Sequence, residues 1–259
     1  MLNELRLFFT AVQFFTRLPV PAWVGHSSHQ LEQSSRYLPL VGMLVGLGAV
    51  AVLWLGTLLL PLPLAIALSM AASILMTGAF HEDGLSDYAD GMGGGHSREK
   101  ILAIMKDSRV GAYGVIALII VLLLKYQSLQ AIGASHGLWL LCAALVSAHS
   151  FSRLLAASLI RTQDYVRNDD SARARPAALR MSLGSFVIAA LTGFASLLFL
   201  SEAGASPAAI AGAASAALLA RAWLARHLKQ RLGGYTGDCL GAVQQLSEIA
   251  FYLGLIACL

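Results

Sequence analysis

Seven apolar runs, at 38–60, 63–80, 110–124, 137–157, 183–200, 207–225 and 240–259, set the limits on how this chain can fold. Several approach the roughly 18–20 residues that a helix needs to cross a bilayer. Only 12% of the residues are charged, about half the share in a soluble domain. The expected fold is all-α: a polytopic membrane helix bundle of about seven transmembrane helices, forming a single integral membrane domain over 1–259. The bundle occupies 38–259. Ahead of it, residues 1–18 mix Phe8, Phe9, Val12, Phe14 and Phe15 with Asn3, Glu4, Arg6 and Gln13. That stretch is too short and too mixed to span, and it predicts an interfacial helix lying on the lipid bilayer.

The basic residues orient the bundle. With seven spans, seventeen of the eighteen Lys and Arg fall on one side, in the N-terminal segment, 81–109, 153–182 and 221–231, and Lys125 alone is left for the other. Such asymmetry predicts a cytoplasmic N-terminus and a multi-pass protein of the inner membrane. The formal charge of +4 then reflects cytoplasmic loops near anionic lipid, and no nucleic-acid motif is present. Three cysteines without CxxC spacing carry no redox signature.

Every motif with chemical content lies on the basic side. His81-Glu82-Asp83-Gly84-Leu85-Ser86-Asp87-Tyr88-Ala89-Asp90-Gly91 holds four of the chain's 14 acidic residues. On a helix, Asp83, Asp87 and Asp90 share an arc of about 60°. Carboxylates in such a stripe repel one another unless a cation sits among them. A solvated acidic face is the plain alternative. At the end of an apparent membrane span, however, uncompensated acid is expensive and usually functional, and an oxygen-liking divalent ion, Mg²⁺, is the simplest resolution. Three glycines follow at 93–95, then Lys106 and Arg109 one turn apart, placed to grip anionic oxygens or to anchor a span. In Gly233-Gly234-Tyr235-Thr236-Gly237-Asp238, Asp238 starts a stripe that continues through Gly241, Gln245 and Glu248. By helical rise Glu248 lies about 15 Å deeper than Asp238, which predicts a buried partner rather than a direct ligand. His149 and Arg153 are further candidates at the end of the fourth span.

Taken in order, these pieces resemble the cobalamin synthase (adenosylcobinamide-GDP ribazoletransferase) family. The matching segments are Arg17-Leu18-Pro19-Val20-Pro21, Tyr37-Leu38-Pro39-Leu40-Val41-Gly42 with Gly46, the acidic stretch, Met105-Lys106-Asp107-Ser108-Arg109-Val110-Gly111 with Gly114, and Gly233 to Asp238 with Gly241-Ala242. The chain departs from the pattern at Glu82, where a small apolar residue is more usual, and at Gln245, where glutamate is.

The resemblance implies an Mg²⁺-dependent phosphoryl transfer joining adenosylcobinamide-GDP to α-ribazole or its 5′-phosphate, with release of GMP. It further implies Asp83, Asp87, Asp90 and Asp238 as metal ligands and Lys106, Ser108, Arg109, Arg153 and Thr236 as substrate contacts. Asp90, Glu82 or His81 is the implied proton acceptor, and Gln245 and Glu248 stand behind the ligands. A homo-oligomer, or association with other cobalamin-assembly enzymes, is compatible with it. Two other functions compete for the same residues. A phosphotransferase of the CDP-alcohol type would place an Ala-Arg pair and two further aspartates at spacings absent here. A cation-coupled transporter would put its acids near the midplane, with inverted repeats.

Overall fold

The computed structural model describes residues 2–25, 27–166 and 181–259. Arg167, Arg173, Arg175 and Arg180, counted above for orientation, lie outside the described residues. The chain is built from helices: α1 (Leu2–Phe15), α2 (Ser28–Ser34), α3 (Leu38–Thr57), α4 (Leu62–Thr77), α5 (Phe80–Gly94), α6 (Arg98–Lys106), α7 (Ala112–Thr162), α8 (Leu183–Ala195), α9 (Leu198–Glu202), α10 (Pro207–Leu232) and α11 (Gly237–Cys258). The described residues contain no strand, only an isolated bridge between Tyr165 and Tyr235. Five helical stretches among them are long and apolar enough to cross a membrane, or six if α4 and α5 are taken as one bent pair. Leu55, Leu59, Ile119, Leu191 and Leu219 stand exposed on the outside, a band that suits lipid rather than water.

Helix α1 is amphipathic. Leu7, Ala11 and Phe15 repeat every fourth residue and are buried, while Leu2 and Leu5 are exposed. Next to it, α3 packs on α7 through Gly42 and Gly46. A Cβ at Gly42 would lie 2.8 Å from the His149 carbonyl carbon and from Arg153 Cδ, and one at Gly46 2.8 Å from Val146 Cα. Without a hydrophobic drive between helices in lipid, this close approach of backbones is what gains packing energy.

The expected connection from Lys125 to His136 is helix instead. As one straight helix the 51 residues of α7 would run about 77 Å, more than twice a bilayer's hydrocarbon thickness of about 30 Å. Its one non-helical residue is Gly137, at φ 85° and ψ 171°, a conformation reserved for glycine. The arms 112–136 and 138–162 fold back on each other there, because Lys125 and His149, each twelve residues from Gly137, meet the same Glu248 carboxylate. Lys125 therefore does not mark the far side of the membrane. Its side chain is 4% exposed and lies 2.6 Å from Glu248 Oε1, between α7 and α11. A lone Lys amid apolar residues reads as a loop when spans are counted by hydropathy, and only a partner distant in sequence allows it to stay inside.

Helix α11 is the axis of the bundle, packing against α5, α7 and α10. The approach of α10 again uses glycine: a Cβ at Gly254 would meet the Gly212 carbonyl, and one at Gly212 would lie 2.8 Å from the Gly254 oxygen.

Candidate active site

The acidic stretch does not continue the span before it. Helix α4 ends at Gly78 in the left-handed region (φ 65°), Ala79 follows at φ 59°, and α5 leaves at 86° to α4. Two left-handed residues in a row give this corner its angle, and the second is unusual for a residue with a Cβ. The segment after α1 packs over the corner: the Arg17 amide donates to the Met76 carbonyl at 2.7 Å. A Cβ at Gly78 would run into the Arg17 guanidinium.

Helix α5 then crosses α11 with backbone touching backbone. A Cβ at Gly84 would lie 2.9 Å from the Asp238 carbonyl oxygen and 3.3 Å from Gly241 Cα; one at Gly241 would lie 2.9 Å from the His81 carbonyl oxygen. This contact places Asp238, in the first turn of α11, against the acidic helix one turn from Asp87. The positive end of the α11 dipole favours acid there. Gly84→Val forces the two backbones apart, at a cost of about 1–3 kcal/mol. It should reduce turnover far more than the yield of folded protein, which parallel activity and size-exclusion measurements would check.

The four acids of α5 are not equivalent. Asp83 is exposed, Glu82 and Asp87 are half-buried, and Asp90 is buried. Asp90 uses both oxygens to cap α7, accepting from the Gly111 amide at 2.7 Å and the Gly114 amide at 2.9 Å. A Cβ at either glycine would collide with the Asp90 carboxyl, which explains both small residues in that motif. Asp90→Ala should cost about 1–2 kcal/mol of stability through this cap alone, read as a lowered unfolding midpoint in detergent. Glu82 accepts from Gln245 Nε2 at 2.9 Å, and its Oε2 is buried with no hydrogen-bond partner. The two positions that depart from the family pattern thus touch each other. Asp238 is half-buried and accepts from Thr236 Oγ1 at 3.3 Å.

Among the described residues, no three His, Cys, Asp or Glu side chains converge at metal-ligand spacing. The described residues therefore offer no closed protein cage. Magnesium rarely needs one: it is commonly held by one or two carboxylates together with substrate phosphate oxygens and water. Half-buried carboxylates at the α5–α11 crossing, Asp87 and Asp238, fit that description in donor chemistry.

The expected phosphate-binding residues divide into two sets. Lys106, Ser108 and Arg109 are exposed at the end of α6 and in the link to α7. Arg109 forks onto Asp107, with Nε at 3.0 Å and Nη2 at 2.6 Å. These bonds hold the Asp107 carboxyl down to about 2, so Arg109 keeps an ionised partner until a stronger anion displaces it. Arg153 belongs elsewhere. It is 2% exposed and donates from Nη1 to the His149 carbonyl at 2.9 Å, with its Nε unpartnered. It sits in a buried network that also contains Lys125, Glu248, Gln244 and Ser152. Glu248 accepts from Gln244 Nε2 at 2.6 Å and from Tyr252 at 3.3 Å. Glu248 is 1% exposed and its principal partner is Lys125, at 2.6 Å. The sequence signal for that partner is a single charge in an apolar run.

The family model for cobalamin-5-phosphate synthase matches residues 7–256. The chain belongs to the cobalamin-5-phosphate synthase family. Relatives named adenosylcobinamide-GDP ribazoletransferase are similar along nearly their whole length. The Shewanella frigidimarina protein is 46% identical over 99% of this chain and 96% of its own, and the Leptothrix cholodnii protein 47% identical over 99% and 97%. That of Ralstonia pickettii is 47% identical over 96% of this chain and 94% of its own. No solved structure matches the chain. As a member of this family it is an enzyme, a transferase of cobalamin biosynthesis. The motifs of the family resemblance each have a place: those holding Gly42 and Gly46, Gly84, and Gly241 pack helices through glycine, the Arg17 segment packs over the α4–α5 corner, and the one after Met105 carries the exposed Lys106 and Arg109.

Proposed function

We propose that this chain joins adenosylcobinamide-GDP to α-ribazole or its 5′-phosphate, assembling the lower loop of cobalamin. The ribose 3′-hydroxyl oxygen attacks the phosphorus that carries the cobinamide. The bond from that phosphorus to the GMP phosphate breaks, and GMP leaves. The observation that carries this reading is the Gly84–Gly241 contact, which packs α5, bearing half-buried Asp87, against the first turn of α11, bearing half-buried Asp238. Lys106 and Arg109, exposed nearby in sequence order, supply charge for the diphosphate.

Asp87 and Asp238, with exposed Asp83 beside them, are the residues that would hold Mg²⁺ together with substrate phosphate oxygens. The ion would neutralise charge developing on the diphosphate. The chain's own contribution is position. Asp90 locks the start of α7 against α5, and the glycine crossing fixes α5 on α11. The hydroxyl proton passes to the acids of α5. The concentration of Lys and Arg at this end of the bundle supports an active site facing the cytoplasm, from the inner membrane.

The test is GMP release by purified protein in nanodiscs, given both substrates with and without Mg²⁺. Release that needs both substrates and the metal is the expected result. Release without the acceptor would mean hydrolysis, and none from folded protein would sink the assignment.

A further inference from the structure

Lys125 and Arg153 bring two positive charges into the interior of the bundle, and both side chains are buried. Of the buried carboxylates among the described residues, Asp90 is committed to the Gly111 and Gly114 amides, and Glu248 lies 2.6 Å from Lys125. Arg153 spends its Nη1 on the His149 carbonyl at 2.9 Å, and its Nε is buried without an acceptor. A buried guanidinium needs a counter-charge and partners for its N–H groups. The unspent acceptor is on α5. Glu82 Oε1 takes a hydrogen bond from Gln245 Nε2 at 2.9 Å, while its Oε2 is buried with no donor. Arg153 lies within electrostatic range of Glu82 as well as of Glu248, in an interior where charges are weakly screened. An unmatched donor and an unmatched acceptor thus belong to opposite charges on α7 and α5, which pack against each other.

We infer that Glu82 is the counter-charge of Arg153, and that Arg153 is thereby a positioning residue for the acidic helix. The role in turnover rests on the function proposed above; the pairing itself does not. With Glu82 counted, Lys125 and Arg153 are matched by Glu248 and Glu82. The pair also completes the attachment of α5. Asp90 ties α5 to the first arm of α7, 112–136, through the Gly111 and Gly114 amides. Glu82 lies eight residues earlier, about 12 Å back along the axis by helical rise. It ties α5 to the second arm, 138–162, which bears Arg153, and Gln245 adds a bond to α11. A helix tied at one end can roll about its axis, whereas ties about two turns apart, to different neighbours, stop it. Asp83 and Asp87 lie between the two ties, so the direction in which they point is fixed from behind. This also gives a use to an arginine too buried to grip phosphate: its charge is spent inside the protein.

The test is a double-mutant cycle in nanodiscs with Glu82→Gln, Arg153→Met and the two combined. Beside it stands the exchange variant Glu82→Gln/Gln245→Glu, which moves the carboxylate across its own hydrogen bond to α11. Unfolding midpoints read the pairing without any substrate. Each single variant should lower the midpoint, and the double variant should lose less than the two singles together. GMP release reads the positioning. Glu82→Gln should cut kcat about tenfold or more, the scale of a small misplacement of catalytic groups, while KM for both substrates stays put. Added Mg²⁺ should not restore it, in contrast to a lost metal ligand. The exchange variant should recover most of the lost kcat, because a negative charge beside Arg153 matters more than which helix carries it. Midpoint losses that simply add would overturn the pairing. Recovery of Glu82→Gln by Mg²⁺ would overturn the positioning by making Glu82 a ligand, and so would an exchange variant no faster than Glu82→Gln. Should Arg153→Met not fold, a better yield of folded double variant reads the same coupling, and an equally poor yield overturns it. Wild type that shows the coupling but releases no GMP would instead count against the proposed reaction alone.

Discussion

Glu248→Ala is expected to lower stability by about 3–5 kcal/mol, the cost of removing one partner from a buried ion pair. Glu248 is 1% exposed and its carboxylate contacts Lys125, His149, Gln244 and Tyr252. Its loss leaves Lys125 buried with no counter-charge in the interior of a membrane bundle, and Arg153 nearby adds a second cation. The carboxylate also holds the hairpin of α7 together, because one arm supplies Lys125 and the other His149. Lys125→Met should be destabilising for the mirror-image reason. The double variant Lys125→Met/Glu248→Gln should recover part of the loss, since the pair's attraction only offsets the cost of burying it. Thermal unfolding of all three in one detergent decides the matter. An unchanged midpoint for Glu248→Ala would mean that water or lipid headgroups reach the pair.

Asp87→Ala is expected to cut GMP release at least about 100-fold, the scale on which one electrostatic group in a phosphoryl or acyl transfer site acts, with little change in folding. Asp87 is half-buried, one helical turn from Gly84, which packs on the Asp238 backbone. If both hold one metal ion with the substrate, Asp238→Ala should cost a similar factor, and the double variant little more than either single one. Full additivity would separate the two carboxylates and undo the shared-ion reading. Raising Mg²⁺ should restore part of the activity of each single variant, which a purely structural defect would not allow. Asp90→Ala serves as the contrast, since its oxygens are committed to the Gly111 and Gly114 amides and its effect should fall on stability.

Much of the fold can be read from run length and residue chemistry. The helices at 38–57 and 237–258 begin or end within a few residues of the apolar runs that predict them, because a bilayer demands about 20 residues of helix and little else satisfies the backbone there. The acidic stretch and the Lys106–Arg109 pair likewise announce themselves, since charge near a membrane needs a reason. The glycines of the motifs are legible as small residues but not as what they do. Gly84 and Gly241 are 157 positions apart in the chain, and nothing local says that their Cα atoms touch.

The sequence alone thus determined the class, the family and the identity of the acids, because those depend on composition, run length and ordered motifs. Tertiary structure decided which acid does what. A stripe of three aspartates on one helix becomes an exposed Asp83, a half-buried Asp87 and an Asp90 spent on capping α7. An isolated Lys125 becomes half of a buried ion pair. In each case the role is set by a neighbour brought from a distant part of the chain, and burial and hydrogen-bond partners are properties of that neighbourhood rather than of the residue.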